Sequence, residues 1–94
     1  MPYVNDTTRE MFEPVVQQLA ATGIKEPGEL GYLLGELLDE YFASQERVRY
    51  ATFAEVAGVL DTVWFDFKCR FLLPYEARKG EENGDVYTWH KEEK

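Results

Sequence analysis

Apolar residues recur at intervals of three and four along most of this chain, the spacing that lines one face of an α-helix. Met11, Phe12, Val15, Val16 and Leu19 make the first such run. Thr7 and Glu10 stand ahead of it at the spacing of a capping box, in which a hydroxyl and a carboxylate each satisfy an orphaned backbone N–H. The pattern predicts a first helix over about residues 8–21, opened by Thr7, kinked or restarted at Pro14 where a helical hydrogen bond is lost, and ended by Thr22 and Gly23. Glu26 as cap, Pro27 at the first helical position and Glu29 in the first turn predict a second start, because a missing N–H costs nothing there and an acid favours a helix N-terminus. The stripe from Leu30 to Phe42 carries this helix to about Ala43, with Glu36, Asp39 and Glu40 expected on the opposite face.

After a polar connector, Thr52 and Glu55 repeat the capping-box spacing and predict the start of a third helix. From Phe53 to Lys79 only Pro74 interrupts, so the expectation is one long helix that bends or breaks near Leu73 and ends at Gly80. Phe53, Val56, Leu60, Val63, Trp64, Phe67 and Phe71 share one face of it. An Asn83-Gly84 turn signal precedes Val86, Tyr87 and Trp89, which form the one short stretch suggestive of a docked end. The expected fold is all-α: a small three-helix bundle with a long kinked C-terminal helix. Residues 1–80 would form a single α-helical domain, and residues 81–94 an acidic, partly ordered and partly docked tail.

Ninety-four residues bound the chain to one domain. With 45% hydrophobic and 15% aromatic residues it is too apolar for disorder, despite a net charge of −8. A domain this small leaves about a third of its chain surface exposed, so part of the aromatic content should lie outside. That surplus predicts a homodimer, formed by antiparallel pairing of the long third helices. No apolar run approaches the roughly 20 residues that cross a bilayer, and no charged-then-apolar leader is seen, so a soluble chain without membrane contact is expected. The single cysteine, Cys69, fits a reducing cytoplasm.

Residues 26–46 hold six acids and no base, the most polarised stretch of the chain. It reads either as a solvated helix face or as a recognition surface for a basic partner, carried by Glu29, Glu36, Asp39 and Glu40. Such a face also imitates a phosphate backbone and would suit a DNA-binding protein as target. Direct nucleic-acid binding is disfavoured, since it needs clustered Lys and Arg. Gly31 and Gly35, one turn apart, and Gly58 suggest close helix packing, with a ligand groove as the alternative. Asp61 lies in an apolar segment and is expected to be buried with Arg47 or Arg49 as partner. Asp66 and Arg70 have the spacing of a helical ion pair. His90 is the only histidine and Cys69 reads as a small buried hydrophobe; no phosphate loop, nucleophile elbow or metal-ligand spacing occurs. A non-enzymatic protein without cofactor or metal is expected.

Met1-Pro2-Tyr3-Val4, Gly28-Glu29-Leu30, Glu55-Val56-Ala57-Gly58-Val59-Leu60-Asp61, Pro74-Tyr75-Glu76 and Glu82-Asn83-Gly84-Asp85-Val86-Tyr87 follow one another through the chain. In that order and at those separations they resemble a small uncharacterised family encoded by tailed bacteriophages and bacteria. The likeness spans nearly the whole chain, departing from the pattern at Gly31 and in the Tyr87–Lys94 extension. The resemblance implies a phage-type accessory protein at work in the bacterial host cytoplasm and assigns no reaction. Three functions fit the residues. The first is binding of a host protein through the acidic helix-two face, as an inhibitor of a host or defence factor. The second is a small-ligand or nucleotide-sequestering module built on Tyr3, Arg70, Tyr75, Arg78 and Tyr87; the third is a structural phage component.

Overall fold

The computed structural model describes residues 3–84, which are all-α with no strand among them. Three helices follow one another. They are α1 (Asp6–Thr22), α2 (Pro27–Ala43) and a long third helix made of α3 (Tyr50–Phe67), a π-helical turn (Lys68–Leu72) and α4 (Leu73–Asn83). The chain divides into two compact units, Pro2–Glu55 and Val56–Lys94, with the boundary inside α3.

The helices are where the periodicity puts them; their ends are not always so. The cap of α1 is Asn5 and not Thr7, since the Asn5 Oδ1 accepts the Thr8 N–H at 2.9 Å. Asparagine is the stronger cap of the two types, and the shift places Asp6 in the first turn, where its charge complements the helix dipole. Pro14 does not restart the helix, for α1 is continuous through it. Gly23 closes α1 as expected, at φ +82°, with its N–H donating to the Leu19 carbonyl at 2.9 Å. A side chain at that φ would strain the backbone, which is why glycine serves here.

The start of α2 follows the sequence closely. The Glu29 carboxylate reaches back to accept the Lys25 N–H at 2.9 Å and the Glu26 N–H at 3.3 Å. These two bonds, that from Lys25 first, hold the Glu29 carboxyl below its ordinary value of 4.5. Because the folded-state value is the lower one, the support is complete above the ordinary carboxylate range and disappears as pH falls through the lowered value. Glu29→Gln keeps an acceptor oxygen and removes the charge. It is expected to flatten the loss of helicity on acidification, read by far-ultraviolet circular dichroism; an acid titration identical to that of the parent chain would contradict this role.

The third helix begins at Tyr50, two residues ahead of the expected cap. Thr52 therefore acts from inside the first turn, its Oγ1 accepting the Arg49 N–H at 3.1 Å. The break expected near Leu73 is a π-helical turn through which the helix continues. Pro74 has no N–H to give the carbonyl four residues back, and its ring crowds that carbonyl. The widened turn relieves this, with the Leu73 N–H donating to the Lys68 carbonyl five residues earlier. Gly80 does not end the helix. Gly84 does, at φ +83°, its N–H donating to the Gly80 carbonyl at 2.9 Å. The domain boundary expected at residue 80 thus falls inside α4, and the docked end expected over Val86–Trp89 lies outside the described residues.

Among the described residues none is buried. The apolar stripes of all three helices stand partly in solvent, Leu37 at 62% and Phe71 at 65% exposure. In the Pro2–Glu55 unit the end of α2 meets the start of α3 through the Phe42 and Phe53 rings, 4.9 Å between centroids. The close packing expected at Gly31, Gly35 and Gly58 is not made, since no atom outside the local helix lies within 4 Å of where a Cβ would sit. Asp61 is exposed, so its charge is hydrated and needs no arginine. Cys69 is exposed too, contrary to its reading as a buried hydrophobe. No side of the long helix is buried among the described residues, so a mid-helix position gives Cys69 no cover. No helix among the described residues is long and apolar enough to cross a membrane.

Candidate functional site

An apolar groove of about 350 Å³ lies in the Pro2–Glu55 unit. Its α1 wall is Val15 and Leu19, and its α2 wall is Leu30, Leu33, Leu34 and Leu37. Ile24, from the short connector between the helices, also lines it. Two features produce it. Val15 and Leu19 lie one turn apart on α1, and the α2 leucines recur at three- and four-residue spacing, so each helix offers a continuous apolar ridge. The four-residue connector, residues 23–26, begins at Gly23 and ends at the Glu26 cap.

Glu36 and Glu40 belong to the lining of this groove. They do not lie on the face opposite the leucines, as the stripe predicts, but beside the leucines. Residues 36 and 40 are one turn apart, and at about 100° per residue they flank Leu33 and Leu37. Their carboxylates therefore border an apolar floor, and this juxtaposition gives the acidic stretch a chemical meaning that a uniformly solvated face would lack. The surface suits a helix with apolar residues on one side and Lys or Arg alongside, which would bury its apolar side and meet the carboxylates at the edge.

The other two acids of the expected partner surface are placed differently. Glu29 is committed to the backbone N–H groups of Lys25 and Glu26 and lines a separate, more open cleft with Gly28 and Tyr32. Asp39 is exposed on α2 and is not part of the groove.

The residues of the ligand alternative are brought together in part. Arg70 Nε bonds Asp66 Oδ1 at 2.8 Å, the helical pair expected from their spacing. The Arg78 guanidinium lies 5.9 Å from the centroid of the Tyr75 ring and the Lys79 ammonium 5.8 Å, so both cations rest on the aromatic face. Tyr3 is 75% exposed in the Pro2–Glu55 unit, and Tyr87 lies outside the described residues, as does His90. Among the described residues no group of three or more His, Cys, Asp or Glu side chains converges as a metal site would require.

The signal that sequence reasoning missed at the groove was Ile24, an isolated apolar residue in a connector, together with the adjacency of Glu36 and Glu40 to the leucine ridge. Helical projection finds the second; the first depends on how the connector folds back.

In comparisons with known proteins, no curated protein and no solved structure matches the chain. One family does match, over residues 1–86, and it is described as a domain of unknown function, DUF6899. The match covers most of the chain, and this protein therefore belongs to the DUF6899 family.

Proposed function

We propose that this protein is a non-enzymatic, phage-type accessory protein that acts by binding a host protein, and that the α1–α2 groove receives a basic amphipathic helix of that partner. The observation that carries the reading is the groove itself: an apolar floor bordered by Glu36 and Glu40 within a stretch of six acids and no base. Apolar area supplies affinity, while the acids choose the sign of the partner and speed its approach. A segment rich in Lys and Arg is also what a nucleic-acid-binding host factor offers, which makes such a factor the natural target of an inhibitor of this kind. The phage provenance rests on the resemblance carried by the Pro-Tyr-Glu and Asn-Gly-Asp-Val-Tyr segments.

The test uses two labelled model helices of equal length, one built of leucine and lysine and one of leucine and glutamate, titrated with the full chain and read by fluorescence anisotropy. The lysine helix should bind and the glutamate helix should not. Glu36→Lys with Glu40→Lys should weaken the lysine helix at least tenfold, and added salt should weaken it in the parent chain. Equal binding of the two helices, or lysine-helix binding that the double variant leaves intact, would overturn the reading.

A further inference from the structure

A second apolar surface belongs to the Val56–Lys94 unit. Along the long helix Val56, Leu60, Val63 and Phe67 recur at alternating spacings of four, three and four, the seam of paired helices. Trp64, Phe67 and Phe71 form a ladder on the same face, with centroids 5.7 and 5.8 Å apart and ring planes within 19° and 25° of parallel. The π-helical turn adds its extra width between Phe67 and Phe71 without breaking the ladder. Yet the ladder is uncovered, with Trp64 at 53%, Phe67 at 43% and Phe71 at 65% exposure.

The charge along this helix changes sign at its π-helical turn, from an acidic segment before it to a basic one of similar length after it. From residue 50 to 67 there are three acids, Glu55, Asp61 and Asp66, and no base. From 68 to 79 there are four bases, Lys68, Arg70, Arg78 and Lys79, against Glu76; the last turn then adds Glu81 and Glu82, and Glu82 holds the Lys79 ammonium at 3.2 Å. Lys68 borders the ladder, its ammonium 5.1 Å from the Trp64 ring centroid; farther along the helix Arg78 and Lys79 rest on Tyr75, and Arg70 pairs with Asp66.

We infer that this face is covered by a second copy of the chain, the two long helices running antiparallel about a two-fold axis near Phe67. An antiparallel copy sets the acidic segment of each helix against the basic segment of the other, twice over. A parallel copy would set like charge against like, which is unfavourable at short range. The area is of the right order as well. Aromatic side chains bury about 150–250 Å² each. Three such rings, each about half uncovered, together with Leu60, Val63 and the flanking stems, offer several hundred Å² per copy, against about 800 Å² per partner in a stable interface. The inference is independent of the groove, which lies on α1 and α2, and either surface can fail without the other.

Two measurements test it. Sedimentation equilibrium of the unmodified chain at tens of micromolar should give about twice 10.9 kDa; a monomer mass would overturn the inference. Orientation is read by oxidative cross-linking in a Cys69→Ser background. A mixture of Leu60→Cys and Tyr75→Cys chains should form the mixed disulfide at least fivefold more readily than either variant forms disulfides alone. Ready formation of the Leu60→Cys homodisulfide would indicate parallel helices and overturn it. Each cysteine variant is first checked for the mass of the unmodified chain, so that a failure to assemble is not mistaken for a wrong orientation.

Discussion

Pro14→Ala is expected to raise the stability of the folded chain by about 3 kcal/mol, the difference between proline and alanine in a helix interior. Pro14 lies well inside α1, which runs unbroken from Asp6 to Thr22. It supplies no N–H to the Glu10 carbonyl one turn back, and its ring presses on that carbonyl. Alanine restores the bond and removes the contact. Position 14 is exposed, and its side chain is not among those lining the α1–α2 groove, so binding there should be unaffected. Guanidinium denaturation at one fixed protein concentration, followed by circular dichroism, would read the gain as a midpoint shifted upward at unchanged slope. The fixed concentration matters because association would make the midpoint depend on it. An unchanged or lowered midpoint would mean that the proline is built into α1 for a reason its helical geometry does not reveal.

The combined substitution Gly31→Ala, Gly35→Ala and Gly58→Ala should be of similar size, at roughly 0.8–1.0 kcal/mol per site and about 2.5–3 kcal/mol together. Interior glycines weaken a helix because the unfolded backbone has more freedom to lose there. The gain is available only where a methyl group has room, and at all three positions nothing stands within 4 Å of it. Gly58 is nine residues before Phe67, which puts it on the far side of the long helix from the aromatic ladder at about 100° per residue. The triple variant should therefore be more stable and keep the mass of the parent chain. A loss of stability or a change of mass would mean that another chain approaches these glycines closely, as their spacing on α2 first suggested.

Several structural elements were legible in the letters because their causes are local. Glu26-Pro27 with Glu29 marked the start of α2 to the residue, since capping involves groups within one turn of each other. The stripe from Phe53 to Phe71 marked the long helix for the same reason. Thr7 and Thr52 misled: both have an acid three residues on, but Asn5 competes with the first, and the second serves equally well from inside the turn. Gly80 and Gly84 posed a like choice. Glycine is tolerated within a helix as well as at its end, and only the reversed φ at Gly84 decides which of the two stops it.

The candidate site was half legible. The acids of α2 were visible as a block, yet their roles diverge: Glu29 serves the backbone, Glu36 and Glu40 edge the groove, and Asp39 does neither. Within one helix a sequence states angular position. It does not state what lies across from that position.

By itself the sequence determined that the chain is helical, where each helix roughly begins, and which residues share a face, because hydrogen bonds and side-chain periodicity act within a few residues of each other. Only the tertiary structure decided that α1 and α2 enclose a groove, that Asp61 and Cys69 face solvent, and that the aromatic ladder is left uncovered. Burial depends on which distant residue stands opposite, and that is a property of the folded arrangement, not of any local stretch of chain.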